Sequence, residues 1–563
     1  MTHLKIDSGN LDAVSLGILW DRLISIANET VEVLVRTSFS SIVRENYDLA
    51  CVLLDEDGNS LAQGSRSQPV FIGTGPQTMR HMLDRFPPHT LKPGDVVFTN
   101  DAWKGTGHLW DVNVMSPVFR GERLVGYVLS ISHLPDIGGR GISAENAEIY
   151  EEGLQIPICK LFREGQPNEE LIELIRTNVR VNDQVIGDIM ANVTCTQVGA
   201  RLILELMEEY DLDDLRPLSQ AILRQSEQAM RARIAAIPDG TYRNSIQVEA
   251  FDTPVTLSCA VTVKGDRLHI DYGGTSEQLR AGINVPLCYT RAMSAYAIKC
   301  LILPNVPNNG GSVNPVELIA PEGCILNAQL PAATGARMLV GHFVVPLVFG
   351  AMAQVLPDAT QADPGMMNAI NTVGVHPDGR YFSTLFFSSG GTGAMRGLDG
   401  LSAAPAPANM MTMPAETWET LTGMSFVKRV FRTDSGGAGE ARGGLGQRIE
   451  LRNDTESVVQ LAILGSRTQF PAKGFHGAQS GAARQFSVNG KVLHPKGRVQ
   501  LAVGDTFAID DAGGGGFGDP KARPRDKVVD DVRNGFVSPE SAVRDYGLDT
   551  TTVAGVAVIG NAA

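Results

Sequence analysis

Val112-Asn-Val-Met-Ser-Pro-Val118, then Arg120-Gly121-Glu122, then Arg123-Leu-Val-Gly-Tyr-Val-Leu-Ser-Ile-Ser-His133 read as two β-strands joined by a turn. β-branched and aromatic residues recur in both runs, and glycine supplies the connection. Working upstream, Leu91-Lys-Pro-Gly-Asp-Val-Val-Phe-Thr-Asn100 reads as a turn followed by a buried strand. Residues 50–63 read as a β-hairpin around Asp55-Glu-Asp-Gly-Asn59, because Gly58 and Asn59 tolerate positive φ. Before it, Ile18, Leu19, Leu23, Ile26, Val31, Leu34 and Val35 recur at helical spacing. They predict a helix over 11–38, with Asp12 or Ser15 near its start.

Downstream, helices are predicted over 169–175, 183–210, 218–237, 291–303 and 341–356, the last kinked at Pro346. Strands are expected at 245–250, 255–263, 267–272, 457–464 and 498–509, and a helical tail over 527–546. The fold class is therefore mixed α/β (α+β), a large multi-domain body with a β-rich C-terminal part. Changes of texture divide it into an N-terminal α/β domain (1–240), a central α/β domain (241–425), a glycine-rich β domain (426–526) and a helical tail (527–563). No fixed-period repeat is present.

The 563 residues carry a net charge of −14, which argues against a nucleic-acid footprint. The segment Lys521 to Lys527 is the densest basic cluster, and it reads as solvated linker. No apolar stretch reaches the ~18 residues of a membrane span. The N-terminal residues carry no apolar core of a secretory signal, and the seven cysteines include no CxxC pair. Reduced, buried cysteines in a cytoplasmic protein are expected.

Glycine is in excess: 60 of 563 residues. It concentrates at Gly105-Thr-Gly107, Gly390 to Gly397, Asp434 to Gly446 and Asp511 to Asp519. A phosphate loop needs GxxxxGK[ST] between a strand and a helix, and none of these segments has it. A dinucleotide fingerprint must open a helix, yet Gly436 to Gly446 runs into the strand-like Gln447-Arg-Ile-Glu-Leu-Arg452. Tight turns and strand crossings are the expected role.

The polar residues that could carry chemistry lie in the first 140. Asn100-Asp101-Ala-Trp-Lys-Gly-Thr-Gly-His108-Leu-Trp-Asp111 and His133-Leu-Pro-Asp136 each contain HxxD, in a chain with only 10 histidines. Arg44-Glu45-Asn46-Tyr47-Asp48 adds two acids before the first strand. Neutral imidazole with carboxylate is the donor set of Zn, Mn or Fe(II) sites. By spacing alone, a histidine at a strand end is more often a surface or hydrogen-bonded residue than a ligand. No GxSxG elbow or Cys–His pairing offers a nucleophile.

These segments resemble the hydantoinase B/oxoprolinase family. The resemblance rests on Arg36-Thr-Ser-Phe-Ser40 with Glu45 and Asp48, Pro93-Gly-Asp-Val-Val97, His108-Leu-Trp-Asp111 and His133-Leu-Pro-Asp-Ile-Gly-Gly139. It continues through Glu148-Ile-Tyr-Glu-Glu-Gly-Leu-Gln-Ile-Pro157, Asp271-Tyr-Gly-Gly-Thr-Ser276, Asp434-Ser-Gly-Gly-Ala-Gly439 and Gly513-Gly-Gly-Gly-Phe-Gly-Asp-Pro520. It implies a component of a hetero-oligomeric, ATP-dependent enzyme that opens cyclic amides (hydantoins, oxoproline, lactams). ATP and Mg would sit on a hydantoinase A-type partner. The implied divalent-metal ligands are Glu45, His108, Asp111 and His133, with Asp48, Asp101 and Asp136 as supporting or alternative ligands. Asp101 and Asp136 are the candidate proton carriers. Where relatives have paired His this chain has Leu134, and a His-containing segment is replaced by Asn409-Met-Met-Thr-Met413. An apolar pocket lined by Trp103, Trp110 and this Met run is one expectation, and core packing of the Met run is the other. Two other functions fit the same resemblance: a component of a ketone carboxylase (acetone or acetophenone type) and a non-catalytic scaffold.

Overall fold

The computed structural model describes residues 12–251 and 253–556. Leu11, at the start of the first expected helix, and the N-terminal residues read for a signal segment lie outside them.

The first half is built on a seven-stranded antiparallel sheet. Its strands are β1 (Leu49–Leu54), β2 (Ser60–Gln63), β3 (Val96–Thr99), β4 (Asp111–Arg120), β5 (Arg123–His133), β6 (Cys159–Arg163) and β7 (Gln166–Pro167), in the order β2-β1-β5-β4-β3-β6-β7. Two helical layers cover it. Helix α1 (Ala13–Thr37) is capped by the Asp12 carboxylate, which accepts from the Val14 and Ser15 amides. The short α2 (Ser41–Arg44) follows, then α3 (Phe71–Arg85), α4 (Glu169–Asn178), α5 (Asn182–Glu209) and α6 (Arg216–Ile234). On one face, Val118 and Val128 pack with Leu19, Leu23, Ile203 and Ile222 of α1, α5 and α6. On the other, Val52, Leu129 and Ile131 pack with Phe71, Met79 and Met82 of α3. Both faces are dry, so β1 reads as an unbroken apolar run instead of alternating.

A second sheet follows: β8 (Gly240–Val248), β9 (Val255–Lys264), β10 (Arg267–Asp271) and β11 (Val316–Ile319), ordered β11-β10-β9-β8. Helix α7 (Leu287–Ile302) packs on α3, and α8 (Met338–Gly341) and α9 (Val344–Met352) follow it. Within the expected kinked helix over 341–356 the structure has the shorter α9, preceded by the separate α8, and Pro346 lies in the first turn of α9, where its missing N–H costs nothing.

The remaining strands are β12 (Met367–Val375), β13 (Tyr381–Ser389), β14 (Met424–Phe431), β15 (Gln447–Asn453), β16 (Val459–Leu464), β17 (Gln485–Val488), β18 (Lys491–Val492), β19 (Arg498–Leu501) and β20 (Thr506–Asp510). They form two sheets, β13-β12-β16-β19 and β14-β15-β20-β17-β18. The expected strand over 498–509 is split between them. The Asp505 carboxylate accepts the Ala502 amide and turns the chain from one sheet to the other. The expected tail becomes α11 (Arg525–Arg533), α12 (Pro539–Arg544) and α13 (Thr550–Ala554), with α10 (Ala415–Thr422) before it in the chain. Arg523 clamps the tail by bonding both Asp399 and Asp531. The mixture of helices and several sheets is the expected α/β class.

The glycine-rich segments lie backbone against backbone. A Cβ on Gly391 would stand 1.8 Å from the Gly444 carbonyl oxygen, and one on Gly513 would stand 1.6 Å from that of Ser435. Amides cross between the segments, Gly514 N to Gly444 O and Gly444 N to Thr392 O, each at 2.9 Å. Glycine here permits chains to touch, and their faces are filled by one another.

All seven cysteines are free; Cys300 is exposed and Cys159 half-buried, while the other five are buried as expected. Among the described residues no helix is long and apolar enough to cross a membrane.

Candidate metal centre

Three strands bring acid and histidine together at one end of the first sheet. In the β4–β5 hairpin, Asp111 lies directly opposite His133. A bulge between Val118 and Phe119 sets this pairing, because the turn pairs Arg120 with Arg123 and the register then shifts by one. Without it Asp111 would oppose Ser132, whose side chain lies on the other face. β5 pairs in turn with β1, and the His133 amide donates to the Asp48 carbonyl at 3.1 Å. The Asp48 Oδ2 lies 3.6 Å from His133 Nδ1.

His108 arrives from the loop before β4. Gly107 precedes it at φ +100°, and a Cβ there would strike the Arg337 side chain at 2.8 Å. The ring is oriented from across the molecule: Nδ1 lies 3.2 Å from the Gly335 carbonyl oxygen. That loop is itself held by Glu152, whose carboxylate accepts the Gly335 amide at 2.7 Å and the Thr334 amide at 3.2 Å. Glu152 is fully buried.

The Asp111 carboxylate is divided between two tasks. Oδ2 accepts from Thr106 at 2.6 Å and from Arg337 Nη2 at 2.7 Å. Oδ1 faces the imidazoles, 2.8 Å from His108 Nε2 and 3.1 Å from His133 Nδ1. Arg337 also donates from Nε to the Thr106 carbonyl and stacks on Tyr289, 4.6 Å from the ring centre.

Burial pushes the His108 pKa down to about 4, with Arg337 adding to it, so the ring is neutral. Burial opposes ionisation of Asp111, but the Arg337 guanidinium beside it holds this carboxyl well below the usual range. Burial raises Asp48 to about 6 and Glu152 to about 8, and lowers His342 to about 3.

These facts test whether the residues suit a metal. A carbonyl only accepts, so His108 Nδ1 carries the proton and Nε2 a lone pair. That lone pair stands 2.8 Å from an ionised carboxylate oxygen, an approach that is repulsive unless a cation is shared between them. The Nε2 atoms of both His108 and His133 are buried without a hydrogen-bond partner. His108, Asp111 and His133 each offer a donor atom within 4.8 Å of the others. A carbonyl holding the far nitrogen of a ligand histidine is the usual support of a metal site. The donor set fits a divalent cation.

The centre opens into a cavity. Asp48, His108, Asp111, His133, Arg337 and His342 line one end. Methionines and other apolar side chains from α7, α8, the β12-β13-β16 sheet and the loop at Met410 line the rest.

Of the residues singled out in the sequence, His108, Asp111 and His133 meet here, with Asp48 beside them. Glu45 lies at the end of α2, outside the cavity lining. Asp101 accepts the Trp103 and Lys104 amides in its own turn. Asp136 is buried against Arg180 at 2.5 Å and faces a neighbouring cavity. Met410 does line the main cavity, whereas Met411 is exposed and Met413 belongs to a separate core. Trp103 bonds the Ala328 carbonyl, and Trp110 stands behind His108 with ring centres 5.7 Å apart. Motif spacing does not pick out Arg337, Glu152 or His342. Glu152 lies within the quoted Glu148–Pro157 segment without being marked there for this role, and the signal for His342 is a polar residue set in the apolar stretch Met338 to Leu356.

Known proteins agree with this architecture. The profile described as hydantoinase B/oxoprolinase matches residues 12–520. A protein of Pseudomonas sp. (strain NS671), named as the B component of a D-/L-hydantoinase, is 28% identical, over 98% of this chain and 97% of its own. The crystal structure of an ATP-dependent caprolactamase from Pseudomonas jessenii superposes with a TM-score of 0.87 at 26% identity, covering 97% of this chain and 99% of that one. An acetone carboxylase structure shares the fold, with a TM-score of 0.85 at 18% identity over 96% of this chain and 82% of its own. With a family match running almost from end to end, the chain belongs to the hydantoinase B/oxoprolinase family.

Proposed function

We propose that this chain is the B-type component of an ATP-dependent cyclic-amide hydrolase, working with a hydantoinase A-type partner that handles ATP and Mg. The observation that carries the reading is the convergence of His108, Asp111 and His133, all buried and with both imidazole Nε2 atoms unpartnered, on the wall of a largely apolar cavity. The filled faces of the glycine segments support placing ATP on the partner, since they leave no cradle for phosphates.

His108 Nε2, Asp111 Oδ1 and His133 would hold a divalent cation, with Asp48 beside it. Such a cation, when bound, lowers the pKa of water and polarises oxygen. The chain's own residues do the rest. Thr106 and Arg337 anchor Asp111 Oδ2, which turns Oδ1 to the cavity. Glu152 and Gly335 fix the His108 ring. Asp48, at about 6, is ionised at neutral pH yet basic enough to accept a proton. With the amide oxygen phosphorylated on the partner, water bonds to the amide carbon and its proton passes to Asp48. The ring C–N bond then breaks, and the proton goes to the departing nitrogen. The acyl phosphate left behind takes a second water and releases phosphate and the amino acid.

The test uses the chain purified with its A-type partner. ADP release should depend on a cyclic amide, and His133→Ala should abolish it while assembly persists. ADP release that requires a ketone and bicarbonate would overturn the amidase reading. Retained turnover in His133→Ala, or no stoichiometric divalent metal by elemental analysis, would overturn the proposed site.

A further inference from the structure

The cavity is chemically lopsided, and the imbalance selects among cyclic amides. Its charged and imidazole groups are gathered at the metal-ligand end, and the amide of the lining residue Gln68 already donates to the Tyr47 carbonyl and the Met410 sulfur. The opposite walls carry Met293, Met338, Met367, Leu385, Phe387 and Met410, drawn from two helices, two strands and a loop. Every one of these except half-buried Met338 is at most 7% exposed. Arg337 is the sole Lys or Arg among the lining residues. Its charge is already matched at 2.7 Å by Asp111 and its plane is laid on Tyr289. A second anionic group on the substrate would therefore meet hydrocarbon at one end, or Asp48 and Asp111 at the other. Burying a carboxylate against such walls without a partner is costly. Unbranched methionine adapts its shape to the group that it contacts, and four of the lining residues are methionine.

We infer that the site takes uncharged cyclic amides with a hydrocarbon ring or hydrocarbon ring substituent, tolerates several ring sizes, and rejects rings that bear a carboxylate. This rests on the cyclic-amide reading above and narrows it. Met410 is the residue with most control over the choice. It comes from a loop and not from a sheet or helix, and its sulfur lies 3.0 Å from the Gln68 amide nitrogen.

Calorimetric titration of the manganese-loaded full chain with ε-caprolactam, δ-valerolactam and 5-oxoproline tests this without ATP or partner. Both lactams should bind, with 5-oxoproline weaker by roughly a hundredfold or more. Equal or tighter binding of 5-oxoproline overturns the inference and leaves the cyclic-amide reading standing. Binding of none of the three overturns both. Met410→Lys, checked for folding by circular dichroism, should narrow the lactam-to-oxoproline ratio at least about tenfold by supplying the missing cation. An unchanged ratio in a folded variant removes Met410 as the determinant.

Discussion

Replacing Arg337 by Met keeps much of its volume and deletes its charge. Arg337 is 6% exposed, and the change removes the 2.7 Å contact with Asp111, the 2.9 Å bond to the Thr106 carbonyl and the stacking on Tyr289. Asp111 then keeps the Thr106 hydroxyl on Oδ2 and has no matching cation in the metal-free chain. Breaking a buried pair from one side costs about 3–5 kcal/mol, because an uncompensated charge stays behind. In an Asp111→Asn background that charge is absent, so Arg337→Met should cost less by about 2–3 kcal/mol. Urea unfolding of the four metal-free proteins, followed by near-UV circular dichroism, completes the cycle. Added divalent metal should restore much of the loss in Arg337→Met, since a cation at the ligands replaces the one removed. A cost below about 1 kcal/mol, or equal costs in the two backgrounds, would refute the argument that Arg337 neutralises Asp111.

Glu152→Gln loses one of two acceptors for the Thr334 and Gly335 amides, which loosens the carbonyl that orients His108. Divalent-metal affinity should fall about 10–100-fold with far-UV circular dichroism unchanged; unaltered affinity would show that Glu152 does not position the ring. The pKa of His342 is about 3 in the folded chain against an ordinary 6.5. The unfolded chain therefore binds more protons between these values, and stability is lost as pH falls from 6.5 toward 3. The full effect is about 4–5 kcal/mol. Asp48 and Glu152 act oppositely, since their raised values favour the folded state as pH falls. The difference in urea midpoint between wild type and His342→Gln from about pH 7 to about pH 4.5 isolates the His342 contribution, and parallel curves would contradict it. Gly391→Ala puts a methyl 1.8 Å from a backbone oxygen and should cost more than about 4 kcal/mol, seen as rapid proteolysis of the C-terminal half. Gly17→Ala in α1 meets nothing within 4 Å and should stabilise by about 0.5–1 kcal/mol; a reversed order would sink the packing account of the glycines.

Periodicity located the elements that it governs. α1, α5 and α6 each bury one stripe, so their apolar spacing was legible to within a few residues. α3 was not, because Gly73, Gly75 and Pro76 lie inside Phe71–Arg85 and disguise a helix whose burial against the sheet and α7 sustains it. β12 and β13 mix Asn, Thr, Gly and Ser with apolar residues, and tertiary partners supply the bonds that these polar groups need, as when Asn368 bonds Ser388 and Asp511.

Residue types and local order by themselves determined the family, the two HxxD segments and the lack of a phosphate loop. These are properties of chemistry and short-range spacing, which the chain carries unfolded. Which acid joins the histidines was decided by tertiary structure. Glu45 and Asp48 are three apart, but Tyr47 at φ +55° turns the chain between them, so Glu45 closes α2 while Asp48 leads into β1 beside His133. The pairing of Asp111 with His133 likewise depends on one bulge seven residues away, and Glu152 and Arg337 come from positions more than 40 and more than 200 residues distant from Asp111. Sheet register and long-range packing are set by the burial of whole faces, and no local spacing encodes them.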